Sequence, residues 1–238
     1  MQGARPRTVA VHGGRRPSPA EPDVVPPLRR ATTFLQHEGT FEATDGGDWD
    51  GPLVYSRYKN PTVEEVEGRL SALEGAESAV LFASGIAALH AVLTAAIPSG
   101  RGRVALARQI YGGTDALLAG PLAALGFETL HFDVEDPSDL ERVLEAGGEL
   151  VHCEGISNPT ALVADLRAIA EAAHARGVPL SVDSTFATPT VQRPLEHGAD
   201  WVVHSATKAL GGHSALAAGV VLGCGARGGG GRGRGGGG

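Results

Sequence analysis

From about residue 55 onward the chain alternates short apolar runs with stretches of helical period, and this constrains the fold more than any other feature. Ala79-Val80-Leu81-Phe82, Arg103-Val104-Ala105-Leu106, Phe127 to Phe132, Leu150-Val151-His152-Cys153, Leu180-Ser181-Val182-Asp183 and Trp201-Val202-Val203 read as strands, and Gly219 to Gly223 as one more. Helices lie between them: Ile86 to Ile97, Thr114 to Leu125, Pro137-Ser138-Asp139 to Glu145, and Asp165 to Arg176, stopped by Gly177. Runs apolar on both faces suit strands covered on both sides. The pattern therefore predicts an α/β domain with a mostly parallel, buried sheet flanked by helices. A further helix precedes the first strand. Thr62 and Glu65 have capping-box spacing, and Val63, Val66, Leu70 and Leu73 form an apolar stripe ended by Gly75.

Three segments follow. Residues 1–54 carry Pro and Gly throughout, without lasting periodicity, and read as an irregular N-terminal arm. Residues 55–223 read as one large domain. Residues 224–238 are almost only Gly and Arg, bury no core and are expected to be disordered. A Gly-Arg tail can bind RNA, but this one lacks interleaved aromatics and the chain carries a net charge of −7. It reads instead as a truncated or frame-shifted end, and no nucleic-acid partner is expected. Two cysteines are too few for a disulfide framework, so a reducing cytoplasm is the expected location. The first residues lack the apolar core of a signal peptide, and no run of about 18 apolar residues suggests a membrane span.

Of the 20 basic residues only Lys59 and Lys208 are lysine. A primary amine can lose its proton and form a Schiff base with a carbonyl, whereas arginine stays protonated. Lys208 stands in His204-Ser205-Ala206-Thr207-Lys208, where two hydroxyls precede the amine. That arrangement suits an aldehyde cofactor bearing a phosphate. Other candidates fall at strand ends, where parallel α/β sheets bind ligands. Ser84-Gly85-Ile86 lies between a strand and a helix and suits either an anion or a plain tight turn. Asp183 can hold a protonated ring nitrogen or cap the segment after it. Tyr111, before Gly112-Gly113-Thr114, can stack on a flat ring or fill the core. Tyr55-Ser56-Arg57 offers a phosphate clamp or a solvated loop. The histidines and cysteines show no metal-ligand spacing, so no metal site is expected.

Taken in order, these motifs resemble the Cys/Met-metabolism family of pyridoxal 5′-phosphate (PLP) enzymes. This trans-sulfuration group includes cystathionine γ-synthase, cystathionine γ- and β-lyases, methionine γ-lyase and O-acetylhomoserine sulfhydrylase. The resemblance runs from about Thr8-Val9-Ala10-Val11-His12 to Gly223. It rests on Tyr55-Ser56-Arg57 through Asn60-Pro61-Thr62, Ala83-Ser84-Gly85-Ile86, Tyr111-Gly112-Gly113-Thr114, Glu154 with Ser157-Asn158-Pro159, Val182-Asp183-Ser184-Thr185, and His204 through Lys208 to Gly212-His213-Ser214.

The resemblance implies PLP fold type I, the aspartate-aminotransferase-like large domain, with the C-terminal small domain missing. It also implies residue roles. Lys208 would form the aldimine and shuttle protons, and Asp183 would hold the pyridinium nitrogen. Asn158 would bond the ring hydroxyl, and Tyr111 would stack on the ring and help activate the substrate amine. Ser84, Gly85, Ile86, Ser205 and Thr207 would form the phosphate cradle. Tyr55 and Arg57 would reach the phosphate of a neighbouring subunit in a homodimer, usually within a homotetramer. The implied chemistry is elimination or replacement at Cβ or Cγ of cystathionine, methionine or O-acylhomoserine-type substrates. The alternative is a catalytically impaired PLP-binding fragment or interaction subunit. The chain departs from the family pattern at Arg108 and Gln109, at Gly113 where methionine γ-lyases have cysteine, at Ser184 and at Ala215.

Overall fold

The computed structural model describes residues 3–14, 23–47, 51–97, 99 and 101–224. The Gly/Arg tail beyond Cys224 and parts of the N-terminal arm thus lie outside the described residues. The chain divides into two compact units, Met1–Ala72 and Leu73–Gly238.

The first unit holds more regular structure than its composition suggests. Pro6–His12 forms helix α1 and Thr40–Asp45 forms α2. Both are short and locally started. Pro6 presets φ at the first turn of α1, and His37 N donates to Thr40 Oγ1 ahead of α2. Thr33 bridges Tyr55 in antiparallel sense. Helix α3 (Pro61–Glu74) is capped by Asn60, whose Oδ1 accepts from Thr62 N at 2.9 Å. The Thr62/Glu65 capping box does not form. Proline opens the helix one residue earlier, which places Thr62 inside it. Its hydroxyl accepts from Arg29 N, while Glu65 takes both an Nε and an Nη of Arg69. Of the expected apolar stripe, Val63 and Val66 stay exposed.

The second unit is the α/β layer structure. Its strands are β1 (Ser78–Phe82), β2 (Arg103–Ala107), β3 (Glu128–Phe132), β4 (Leu150–Glu154), β5 (Leu180–Asp183), β6 (Trp201–His204) and β7 (Gly219–Gly223). They form one sheet in the order β1-β7-β6-β5-β4-β2-β3. The run from β3 to β6 is parallel; β7 pairs antiparallel with both β6 and β1.

Helices α4 (Gly85–Ala96) and α5 (Gly112–Leu117) pack together on one face. There Leu89, Val92 and Leu93 bury against Val104, Leu106, Leu150 and Val203. Helices α6 (Pro137–Glu145) and α7 (Leu166–Ala175) pair on the other, burying Val143, Leu144, Ile169 and Ala173. Two details escape the sequence pattern. The expected helix over 114–125 changes after Leu117 into a π-helical turn, Leu118–Leu122, because Pro121 has no N–H to continue the ladder. Between β5 and β6 lie helix α8 (Thr188–Val191) and a 3-10 turn (Pro194–His197), each with proline in its first turn.

Side-chain alternation follows from the register. Leu150, His152 and Glu154 share the α4 face with Ser181 and Asp183, since His152 pairs with Ser181 and Glu154 with Asp183. The chain leaving β2 turns to the α4 side in α5, and the chain leaving β4 turns to the opposite face in α7. The strand ends therefore part between β2 and β4, which is where an open α/β sheet makes room for a ligand.

Candidate active site

A cavity of about 270 Å³ opens at these carboxyl ends. Its wall includes Ser84, Gly85 and Ile86 from the start of α4, Tyr111 and Thr114 after β2, and Glu154, Ile156 and Asn158 after β4. Asp183, Thr185 and Phe186 after β5, and Ser205, Thr207 and Lys208 after β6, complete it.

Each wall segment is built for its place. Ser84 is the N-cap of α4: its backbone is extended and its hydroxyl accepts from Ala87 N at 3.1 Å. The N–H groups of Gly85 and Ile86 are left without intrahelical partners, at the positive end of a twelve-residue helix. Gly85 is required by proximity. A Cβ there would lie 2.7 Å from Ser205 Cβ and 3.0 Å from Ser205 Cα. Ser205 N donates to Thr185 Oγ1, and Ser205 Oγ has no hydrogen-bond partner among the described residues. Two free amides and a free hydroxyl thus converge, a donor set that fits a phosphate.

Asp183 Oδ1 accepts from Thr185 N at 2.8 Å, and part of the carboxylate faces the cavity. Burial pushes its pKa up, against the Thr185 hydrogen bonds and the nearby His204, which pull it down. A carboxylate so placed gains from a cationic partner, and a protonated ring nitrogen supplies one. Lys208, exposed on the turn after β6, presents an amine with no ion pair among the described residues. Tyr111 is 47 % exposed, so it is no core residue. The residues present therefore fit PLP at both its anionic and its cationic ends.

The structure brings Lys208, Ser84, Gly85, Ile86, Tyr111, Asn158, Asp183, Ser205 and Thr207 to one cavity. Thr207 is partly committed elsewhere: its hydroxyl donates to Ala218 O at 3.1 Å and accepts from Ala218 N at 3.0 Å, which braces the lysine turn against the approach to β7. Tyr55 and Arg57 belong to the first unit. There the Arg57 guanidinium sits 5.1 Å from the Tyr55 ring centroid and 5.2 Å from that of Tyr58.

Two wall residues had no role in the sequence reading. Thr185 links Asp183 to Ser205 with its amide and hydroxyl. Glu154, almost wholly buried, accepts from Tyr111 N at 3.0 Å and from Asn158 N at 2.7 Å. The available signal was an acid closing the strand Leu150-Val151-His152-Cys153.

Fold and cavity together define a PLP-binding α/β domain of fold type I. The sequence pattern of the Cys/Met metabolism PLP-dependent enzymes matches residues 7–228, and the chain belongs to that family. It is 45 % identical over 222 residues to an L-methionine gamma-lyase of Streptomyces avermitilis, covering 90 % of this chain and 52 % of the relative. It is 37 % identical over 216 residues to a homocysteine synthase of Schizosaccharomyces pombe, covering 90 % and 50 %. Among solved structures, a putative O-acetylhomoserine (thiol)-lyase of Campylobacter jejuni carrying an N′-pyridoxyl-lysine-5′-monophosphate superposes with a TM-score of 0.84 at 28 % identity. That match covers 94 % of this chain and 55 % of the other. The chain spans about half the length of the curated relatives it matches. The family's cofactor is pyridoxal 5′-phosphate. Among the described residues no helix is long and apolar enough to cross a membrane, and no cluster of potential ligands could hold a metal ion.

Proposed function

We propose that this chain is the cofactor-binding part of a PLP-dependent enzyme of sulfur amino-acid metabolism. Its reaction would eliminate or replace a substituent at Cβ or Cγ of an amino acid such as methionine, cystathionine or an O-acylhomoserine. The observation that carries the reading is the meeting of Lys208, Asp183, Tyr111 and the Ser84-Gly85-Ile86/Ser205 donor set in one cavity. When bound, PLP supplies a carbonyl for amines and a cationic ring that draws electrons from the bonds at Cα.

The protein's part is placement. The α4 amides and Ser205 Oγ hold the phosphate. Asp183 keeps the ring nitrogen protonated, and the buried surroundings that raise its own pKa strengthen that pairing. Asn158, from the β4 side, and Tyr111 would orient the ring. Lys208 Nζ would be the amine that anchors the cofactor and the group able to carry a proton near the substrate. Tyr55 and Arg57, already held as a cation–aromatic group, would complete the phosphate site of a second copy in a dimer or tetramer.

The test is direct. Full-length protein incubated with PLP and reduced with borohydride should carry one pyridoxyl group, mapped by peptide mass to Lys208. Lys208→Ala and Lys208→Arg should each lose it, although the arginine variant keeps the positive charge. Release of a 2-oxo acid and ammonia from an amino-acid substrate separates enzyme from binder. Failure to fix PLP at Lys208 overturns the reading.

A further inference from the structure

We infer that Glu154 is a positioning residue: its carboxylate clamps the main chains of Tyr111 and Asn158 together across the gap between β2 and β4, and so sets both side chains that orient the cofactor ring. The inference rests on the PLP reading above.

The geometry is specific. Tyr111 holds the N-cap position of α5 but contributes no side-chain cap bond. Glu154 instead takes the N–H of the cap residue itself from another strand, Oε1 accepting the Tyr111 amide at 3.0 Å, 43 residues away in sequence. Its other oxygen accepts Asn158 N at 2.7 Å. Asn158 lies in a small hairpin closed by the Ile156–Val163 bridge, with Ser157 N donating to Leu162 O and Leu162 N to Ser157 Oγ. One carboxylate therefore joins two loops that leave the sheet toward opposite faces. A connection of this kind is needed just where the strand ends diverge.

The surroundings give the clamp a measurable property. Glu154 faces Asp183, its register partner on β5, and shares the cavity with Lys208 and the Tyr111 phenol. On its own strand, His152 is pushed down to about 4 and Cys153 up to about 12, both by burial, so both are neutral near pH 7. Burial first, and the Asp183 charge further, push Glu154 up to about 7 against the two hydrogen bonds it accepts. Ionised, it accepts two charge-assisted bonds; protonated, one oxygen carries a hydrogen and both bonds weaken. Two amides in different loops must therefore report a single titration.

The experiment is an NMR pH titration of full-length, cofactor-free, 15N-labelled protein between about pH 5.5 and 8.5. The Tyr111 and Asn158 amides should shift together with one midpoint near 7. Glu154→Gln should abolish that shift, because a carboxamide does not ionise in this range, and it should weaken the clamp, because its NH2 group must face one of the two backbone donors. By equilibrium dialysis the variant should bind PLP about tenfold more weakly, the equivalent of one charge-assisted hydrogen bond. Independent or absent titration of the two amides in the wild type overturns the inference, and so does a folded Glu154→Gln that binds PLP normally. Should the variant fail to fold, the wild-type titration decides. A Lys208 borohydride adduct without the shared titration removes only the clamp. A shared titration without the adduct leaves the clamp and removes the PLP reading.

Discussion

At the scale of single residues, two carboxylates end neighbouring strands on the same face, and their burial has a cost that depends on pH. Glu154 titrates near 7 in the fold against an ordinary 4.5. Between those values the folded protein holds a proton that the unfolded chain has lost. The stabilisation is complete below about pH 4.5 and disappears as pH rises through 7, a difference on the order of 3 kcal/mol. Asp183 is shifted in the same direction. Urea unfolding at about pH 5 and pH 8 should show the wild type losing stability relative to Glu154→Gln as pH rises. Gly85 makes a separate case. Gly85→Ala would drive a methyl group into the Ser205 main chain, with a cost of about 1–3 kcal/mol. Because the proposed phosphate donors meet at that contact, PLP affinity should fall more than the melting temperature does. That Lys208, Asp183 and the serine–glycine turn stand at strand ends around one cavity was legible in the sequence, because each placement depends on residues within a few positions. Glu154 was not, because its partner Tyr111 lies far off in the chain and only the pairing of β2 beside β4 brings them together.

At the scale of elements, the caps divide into those that hold the fold and those that also hold the site. Asp165 caps α7 by accepting from Ala168 N at 3.1 Å, and Ser84 caps α4 in the same manner. Replacing either with alanine should cost about 1 kcal/mol of stability. Only Ser84→Ala should also weaken PLP binding, since α4 begins in the cavity wall and α7 lies on the opposite face. Calorimetry with and without PLP distinguishes the two variants. Existence and type of the main elements could be read from periodicity, and so could the end of α7 at Gly177. The start of α3 could not, because Asn60-Pro61 and Thr62 through Glu65 offer competing starts and only Arg29 and Arg69 decide between them. The change from α-helix to π-helical turn around Pro121 was readable in principle, since an interior proline disrupts the ladder of a helix.

At the scale of the whole molecule, β7 joins β1 to the rest of the sheet. β7 runs against its neighbours between β6 and β1, with Val220 and Leu222 fully buried. Apolar pattern marked it as a strand, but neither its direction nor its place between the first and sixth strands could be read, because burial carries no polarity. A chain ending at Ala218 should therefore leave β1 without a partner and unfold without a cooperative transition, as followed by near-UV circular dichroism on heating. The buried pair of Glu74 and His204, 2.7 Å apart, lies on the face away from the cavity. Among the described residues His204 Nδ1 has no partner, so Glu74→Ala would leave the ring with none there, at about 1–3 kcal/mol.

Gly219 lies so close to Ser84 O that no Cβ fits between them. Synthesis runs from the amino end, so Ser84, Tyr111, Asp183 and Lys208 all emerge from the ribosome before the strand that seats the first of them. A nascent chain is therefore expected to complete this cavity wall, and to take up PLP at the proposed site, only once β7 has also emerged.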